Sequence, residues 1–154
     1  MGIIDKRLEE LNIILPEVPR PMANYVSIQS DGPVLYLSGS GPIVEGKVLY
    51  QGILGKDLTV QEGYEAAKLA VINHISLLRH YLGDLDRVEQ IVKLLGFVAS
   101  EREFYEQPQV INGASDLLVA VFGEAGKHAR SAIGTSVLPM NIPVEIELVV
   151  RVRA

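Results

Sequence analysis

Cysteine and tryptophan are absent from the 154 residues, and histidine occurs three times. Without thiols there are no disulfides, no thiolate nucleophile and no cysteine-held zinc. The histidines are too scattered for a metal centre. His74 and His80 lie six positions apart in one predicted helix, about 600° of turn, and so face opposite sides. His128 is remote in sequence, no HExxH or HxH spacing occurs, and no metal is expected. Aromatic residues make up 6% of the chain, too few for a platform on which bases or sugars stack. Basic charge is also short: 14 Lys+Arg stand against 19 Asp+Glu, a net charge of -5, which argues against a general nucleic-acid binder. The longest apolar run, Ile91–Ala99, is interrupted by Lys93, so no membrane segment is expected. The opening MGIIDKRLEEL places charges where a signal peptide needs an apolar core, and the expected location is the cytoplasm. The glycines at 39–41 and 123–126 match neither a P-loop nor a dinucleotide fingerprint, and no cofactor is expected.

What remains is apolar substance. Hydrophobic residues make up 48% of the chain, and the mean hydropathy is +0.23. The length supports one domain, 1–154, divided into an N-terminal helix with a proline-rich extension (1–21) and a core (22–154). The apolar excess fits a Val/Ile/Leu-rich core alone or, as expected here, subunit-interface surface added to it.

Apolar spacing predicts a helix over Ile3–Asn12, stopped by Pro16, Pro19 and Pro21. Strands are expected at Asn24–Gln29 and Val34–Ser38, joined by the turn Ser30-Asp31-Gly32-Pro33. Gly39, Gly41 and Pro42 then read as a tight exposed loop, followed by a short strand near Lys47–Tyr50. Thr59-Val60-Gln61-Glu62 is a capping box opening a helix that Gly83 closes. The apolar stripe of that helix includes Ala66, Ala70, Leu77 and Tyr81, with Asn73 inside it. Asp84–Arg87 leads into a strand at Val88–Ala99, and Ser100–Glu103 reads as a second, weaker capping box. A helix over Pro108–Phe122 is broken by Gly123 and Gly126, and strands at Arg130–Val137 and Pro143–Arg153 finish the chain. In the last strand Val144, Ile146, Leu148, Val150 and Val152 point one way, Glu145, Glu147, Val149, Arg151 and Arg153 the other. This order suits an α+β layer, two helices on one face of a mixed sheet, with oligomerisation to cover the other face.

Arg130 is the first candidate for chemistry. It stands where a glycine-broken helix end enters a strand, and its planar fork can grip a carboxylate bidentately. A surface pairing with Glu145 or Glu147 is the competing reading.

The segments Arg130-Ser131-Ala132, Leu138-Pro139 and Glu145-Ile146-Glu147 resemble the C-terminal signature of the RidA family, also called YjgF or L-PSP endoribonuclease-like. Asn24-Tyr25-Val26, Leu37-Ser38-Gly39-Ser40-Gly41-Pro42 and Leu85-Asp86-Arg87-Val88 are similar to earlier family segments, in the correct order. The resemblance implies a chorismate-mutase-like α+β fold of the Bacillus type, assembled as a homotrimer with clefts between subunits. It implies cofactor-free hydrolysis of reactive 2-imino acids to 2-oxo acids and ammonia. Arg130 would bind the substrate carboxylate, the Ala132 backbone would hold the imine nitrogen, and Glu145 would orient water. Tyr25 would line the cleft from the neighbouring subunit, with Ser38 and Gly39 as the wall opposite. Two other readings are a non-catalytic or regulatory binder of small carboxylates and an L-PSP-type endoribonuclease. Four features mark a divergent branch: Ser40 in place of the usual glutamine, Ala132 where well-known members carry cysteine, the N-terminal extension, and a lengthened Asn112–Asp116 segment.

Overall fold

A computed structural model describes residues 1–18 and 24–154; Pro19 and Pro21 lie outside the described residues. The elements in chain order are α1 (Ile3–Glu10), β1 (Ile28–Asp31), β2 (Val34–Ser40), β3 (Ile43–Val44), β4 (Lys47–Val48), α2 (Val60–Leu82), β5 (Val88–Ala99), α3 (Gln107–Phe122), β6 (Ala129–Thr135) and β7 (Val144–Val152). Five strands form one sheet in the order β1-β2-β7-β5-β6. Every pairing is antiparallel except β5 with β6. β3 and β4 make a separate small hairpin.

The capping box forms as its spacing dictates. Thr59 N donates to Glu62 Oε1 at 3.0 Å and Glu62 N to Thr59 Oγ1 at 3.2 Å, satisfying two of the free amides of α2. Gly83 ends the helix at φ 78, a left-handed conformation that favours glycine. The Ser100 motif forms no helix. Ser100 still belongs to the sheet, its amide bound to Thr135 O and its hydroxyl to Val98 O, and α3 begins only at Gln107, with Pro108 in its first turn.

α2 and α3 lie on one face of the sheet, as the sequence predicts. Ala66, Ala70, Ile75 and Leu78 pack with Val110, Ile111, Ala114 and Leu118 over Ile91, Leu94, Val98, Ile146 and Leu148. Tyr81 falls outside this core, half exposed, because the buried side of α2 runs through His74 and Leu78 rather than Leu77 and Tyr81. α1 does not pack on the opposite sheet face, which no helix among the described residues covers. Its first amides, on Ile3 and Ile4, each donate to the Asp86 carboxylate at 2.9 Å, and Arg7 donates to Val121 O, so α1 is fastened to the end of α3 and the entry to β5. Those amide bonds hold the Asp86 carboxyl below its ordinary value.

The β7 alternation appears as read, with Val144, Ile146, Leu148 and Val150 buried. The outward face carries Tyr36, Leu95, Phe97, Ile133 and Val149, brought together by pairing across four strands. β1 begins at Ile28 rather than Asn24, and β2 continues through Gly39 to Ser40. Gly41 and Pro42 are buried rather than exposed, because the Asn73 side chain donates to Gly41 O at 3.0 Å and Ile43 O at 2.7 Å and draws the loop onto α2.

His74, beside Asn73, is buried among apolar residues, with Nε2 2.7 Å from Ile146 O. A carbonyl only accepts, so Nε2 carries the hydrogen. Burial lowers the His74 pKa to about 4, whereas an unfolded chain protonates near 6.5. Stability is therefore expected to fall as pH drops from 6.5 toward 4, by roughly 3 kcal/mol from this residue. Denaturant titration of His74→Leu across that window checks the assignment; an unchanged slope would exclude His74 as the titrating group.

Candidate functional site

The residues singled out by sequence fall into two groups on opposite faces of the sheet. Tyr25, Ser38, Gly39 and Glu145 form the first. Ser38 N donates to Ser27 O at 2.9 Å, and its hydroxyl donates to Val26 O at 2.8 Å, so the segment following Tyr25 is tied to β2 of the same chain. Tyr25, next to the tied Val26, therefore stands beside Ser38 in the same chain. It is half exposed.

Gly39 lies beside Glu145. A Cβ on Gly39 would sit 2.6 Å from Glu145 Oε2, so an added methyl group would push that carboxylate from its present position. Glu145 pairs with Phe97 across the strands, on the outward face, and Glu147 follows two residues along on the same side. Burial raises the Glu145 pKa, and the neighbouring Glu147 charge raises it further. The folded chain then holds this proton more tightly than the unfolded chain does. The ionised carboxyl costs stability above the ordinary carboxylate range, and the cost vanishes on acidification. Glu145→Gln is expected to raise the melting temperature at pH 7 by a few degrees, since the group is half in solvent, and to lose this advantage below about pH 4. A constant difference across pH would point to repacking instead.

Arg130 and Ala132 form the second group, on β6. They pair with Leu94 and Gly96, whose side of the sheet is the buried, helix-covered one. Ala132 packs against the core. The Arg130 guanidinium lies along α3, with Nη1 3.1 Å from Ser115 Oγ and Nη2 3.4 Å from Pro108 O. The ion pairs among the described residues are Asp5–Arg79, Glu124–Lys127 and Glu89–Arg151, so the surface pairing of Arg130 with Glu145 or Glu147 does not form. β6 is an edge strand, and its outer edge exposes unpaired backbone groups.

Sequence reading passed over Ser115 and His128. Two signals could have found them. Ser115 lies in the Asn112–Asp116 segment that departs from the family pattern, and His128 is two residues before Arg130. Two open surface depressions, of about 410 and 470 Å³, lie beside Gly55 and Phe104 and beside α1 and Arg79, and no residue of either group lines them. Among the described residues no three His, Asp or Glu side chains converge as a metal site, and no helix is long and apolar enough to cross a membrane.

The family described as "YjgF/chorismate mutase-like, putative endoribonuclease" matches residues 5–151, a span that takes in most of α1. The chain is 43% identical to "Protein TCP17" of Trypanosoma cruzi over 150 residues, covering 97% of this chain and 94% of that protein. The crystal structure of Atu1372 from Agrobacterium tumefaciens, described as of unknown function, is 43% identical, with a TM-score of 0.91 and coverage of 97% of this chain and 92% of that one. A structure from Shewanella oneidensis described as a "putative endoribonuclease" is 39% identical with a TM-score of 0.94, covering 98% of this chain and 100% of that one.

Proposed function

This chain belongs to the YjgF/chorismate mutase-like family, and from that premise we propose that it is a cofactor-free deaminase, hydrolysing 2-imino acids to 2-oxo acids and ammonia in clefts between the subunits of a homotrimer. One observation carries the reading. Arg130 and Glu145 face opposite sides of one sheet with β5 between their strands, so a cleft holding both must be built from two chains. The bare sheet face supplies the first chain's half, and the β6 edge with α3 supplies the second.

The reaction asks little of the protein. An iminium carbon is already electrophilic, so positioning and charge placement suffice. Arg130 holds the carboxylate, and the Ala132 carbonyl accepts the imine N–H. Glu145 orients a water molecule and takes its proton as the oxygen adds to carbon. Glu145 returns that proton to the nitrogen of the resulting carbinolamine, which leaves as ammonia as the hydroxyl proton passes to Glu145 and the C=O bond forms. The raised pKa of Glu145 suits a group that must both accept and return a proton.

The test generates imine in situ with an amino-acid oxidase and follows 2-oxo acid release. Catalytic amounts of the protein are expected to accelerate release, and a rate equal to that with heat-inactivated protein would exclude the activity. A second reading, a binder of small carboxylates without turnover, is favoured by one fact: the Arg130 half is complete within a single chain. Calorimetric binding of 2-oxobutyrate with no deamination would select it. Ribonuclease activity that follows the protein through purification and disappears in Glu145→Ala would replace both.

A further inference from the structure

We infer that Ser115 and His128 position Arg130 through a directed chain of hydrogen bonds, and that this chain sets how tightly the site holds the carboxylate of its substrate. The inference rests on the proposed role of Arg130 as the carboxylate ligand.

With His128 as the neutral imidazole, the direction of each bond follows from what each atom can do. His128 Nδ1 lies 2.6 Å from Gly126 O, which only accepts, so Nδ1 bears the hydrogen. Arg130 Nη1 only donates, so Ser115 Oγ accepts from it at 3.1 Å. The serine hydroxyl hydrogen is then directed at the free lone pair of His128 Nε2, 2.9 Å away. Arg130 thus donates to Ser115, Ser115 to His128 and His128 to a backbone carbonyl, an order in which each bond polarises the next.

The scaffold is shaped for this contact. A Cβ on Gly126 would lie 2.2 Å from Leu118 O, so glycine lets the segment after α3 fold back onto the helix. That approach brings the Gly126 carbonyl and His128 against Ser115, about one turn before Leu118. Pro108, whose carbonyl accepts from Nη2, lies about two turns before Ser115 on the same side of α3. Two of the five guanidinium N–H groups are therefore engaged by the chain and three remain, enough to grip a carboxylate bidentately in a fixed plane. His128 never touches the substrate; it acts through Ser115, and Ser115 acts through Arg130.

Wild type, Ser115→Ala, His128→Ala, the double variant and Ser115→Thr would be compared by calorimetric titration with 2-oxobutyrate and by kcat and KM in the oxidase-coupled assay. Each alanine variant is expected to raise Kd and KM about tenfold while kcat changes by less than about twofold. The double variant is expected to be no worse than Ser115→Ala, since His128 has no route that bypasses Ser115. Ser115→Thr, which keeps the hydroxyl, is expected to bind within about threefold of wild type. Wild-type affinity in Ser115→Ala would overturn the inference, as would losses that multiply in the double variant or track a falling melting temperature. A wild type that binds 2-oxobutyrate through Arg130 but turns nothing over would end the deaminase reading, and the Kd series would still decide the positioning. A wild type that neither binds nor turns over would remove both.

Discussion

Two inactive chains, Arg130→Ala and Glu145→Gln, are expected to recover about one quarter of wild-type activity when co-expressed in equal amounts. Each alone should lose activity by about 100-fold or more. In the proposed mechanism Arg130→Ala would remove two charge-assisted hydrogen bonds to the carboxylate, and Glu145→Gln the group that takes the proton from water. The recovery follows from the geometry of the sheet. Arg130 pairs with Leu94 on the helix-covered side, and Glu145 pairs with Phe97 on the bare side, so one chain cannot supply both to the same cleft. In the proposed homotrimer each cleft would take Arg130 from one subunit and Glu145 from its neighbour. With random mixing, half of the Arg130 contributions and half of the Glu145 contributions are intact, which leaves about a quarter of clefts with both. Differently tagged chains, purified through both tags, would show that mixed assemblies formed. Mixed assemblies with no recovered activity would rule out the shared cleft.

Gly113→Ala is expected to be the most damaging single methyl group in the helix layer. A Cβ at Gly113 would lie 2.0 Å from Tyr64 O and 2.8 Å from Tyr64 C, backbone atoms of α2 that cannot swing aside. The two helix axes would have to separate where Ala66, Ala67, Ile111 and Ala114 now pack without exposure to solvent, and the 2.7 Å bond from the Tyr64 hydroxyl to Asp116 would be pulled with them. Overpacking against backbone is expected to cost about 3 kcal/mol, or roughly 6–12 °C in melting temperature for a domain of this size. Gly32→Ala is the control. Its φ of +60 makes alanine somewhat strained, but no atom lies within 4 Å of the added carbon, and a loss of about 1 kcal/mol is expected. Equal melting temperatures for the two variants would show that the helix crossing yields more readily than its geometry implies. Because Ser115 lies two residues after Gly113, the same substitution should also weaken carboxylate binding.

Much of the fold is legible in the sequence because its signals are local. The Thr59–Glu62 box and Gly83 bound α2 through hydrogen bonds and a left-handed turn made within a few residues. β5 and β7 are long, branched and apolar enough to read as strands in any context. The misses have a common origin in contacts distant in sequence. Ser100 has the composition of a helix cap, yet its partners are Thr135 and Val98 in the sheet. The loop at Gly41 looks exposed until Asn73, about thirty residues later, pulls it inward. Tyr81 lies near the apolar stripe of α2, but the part of that helix reaching the sheet is set by where α3 crosses it, at Gly113 and Tyr64.

The candidate site divides in the same way. The sequence alone established which chemistries lack their residues, the order of helices and strands, and the five positions at which Arg130, Glu145, Tyr25, Ser38 and Gly39 resemble a known family, with Ala132 departing from it. It also established that neighbouring residues within a strand alternate sides, because that period is a property of the extended backbone. Alternation relates residues on one strand and says nothing about two strands until their pairing and register are known. Only the tertiary structure decided that Arg130 shares a side with Leu94 and Glu145 with Phe97, which puts a nearby pair in sequence on opposite faces of the sheet. It alone joined Ser115 and His128 to Arg130, since a serine in a helix and a histidine in the following loop meet only once Gly126 lets the backbone fold back on α3.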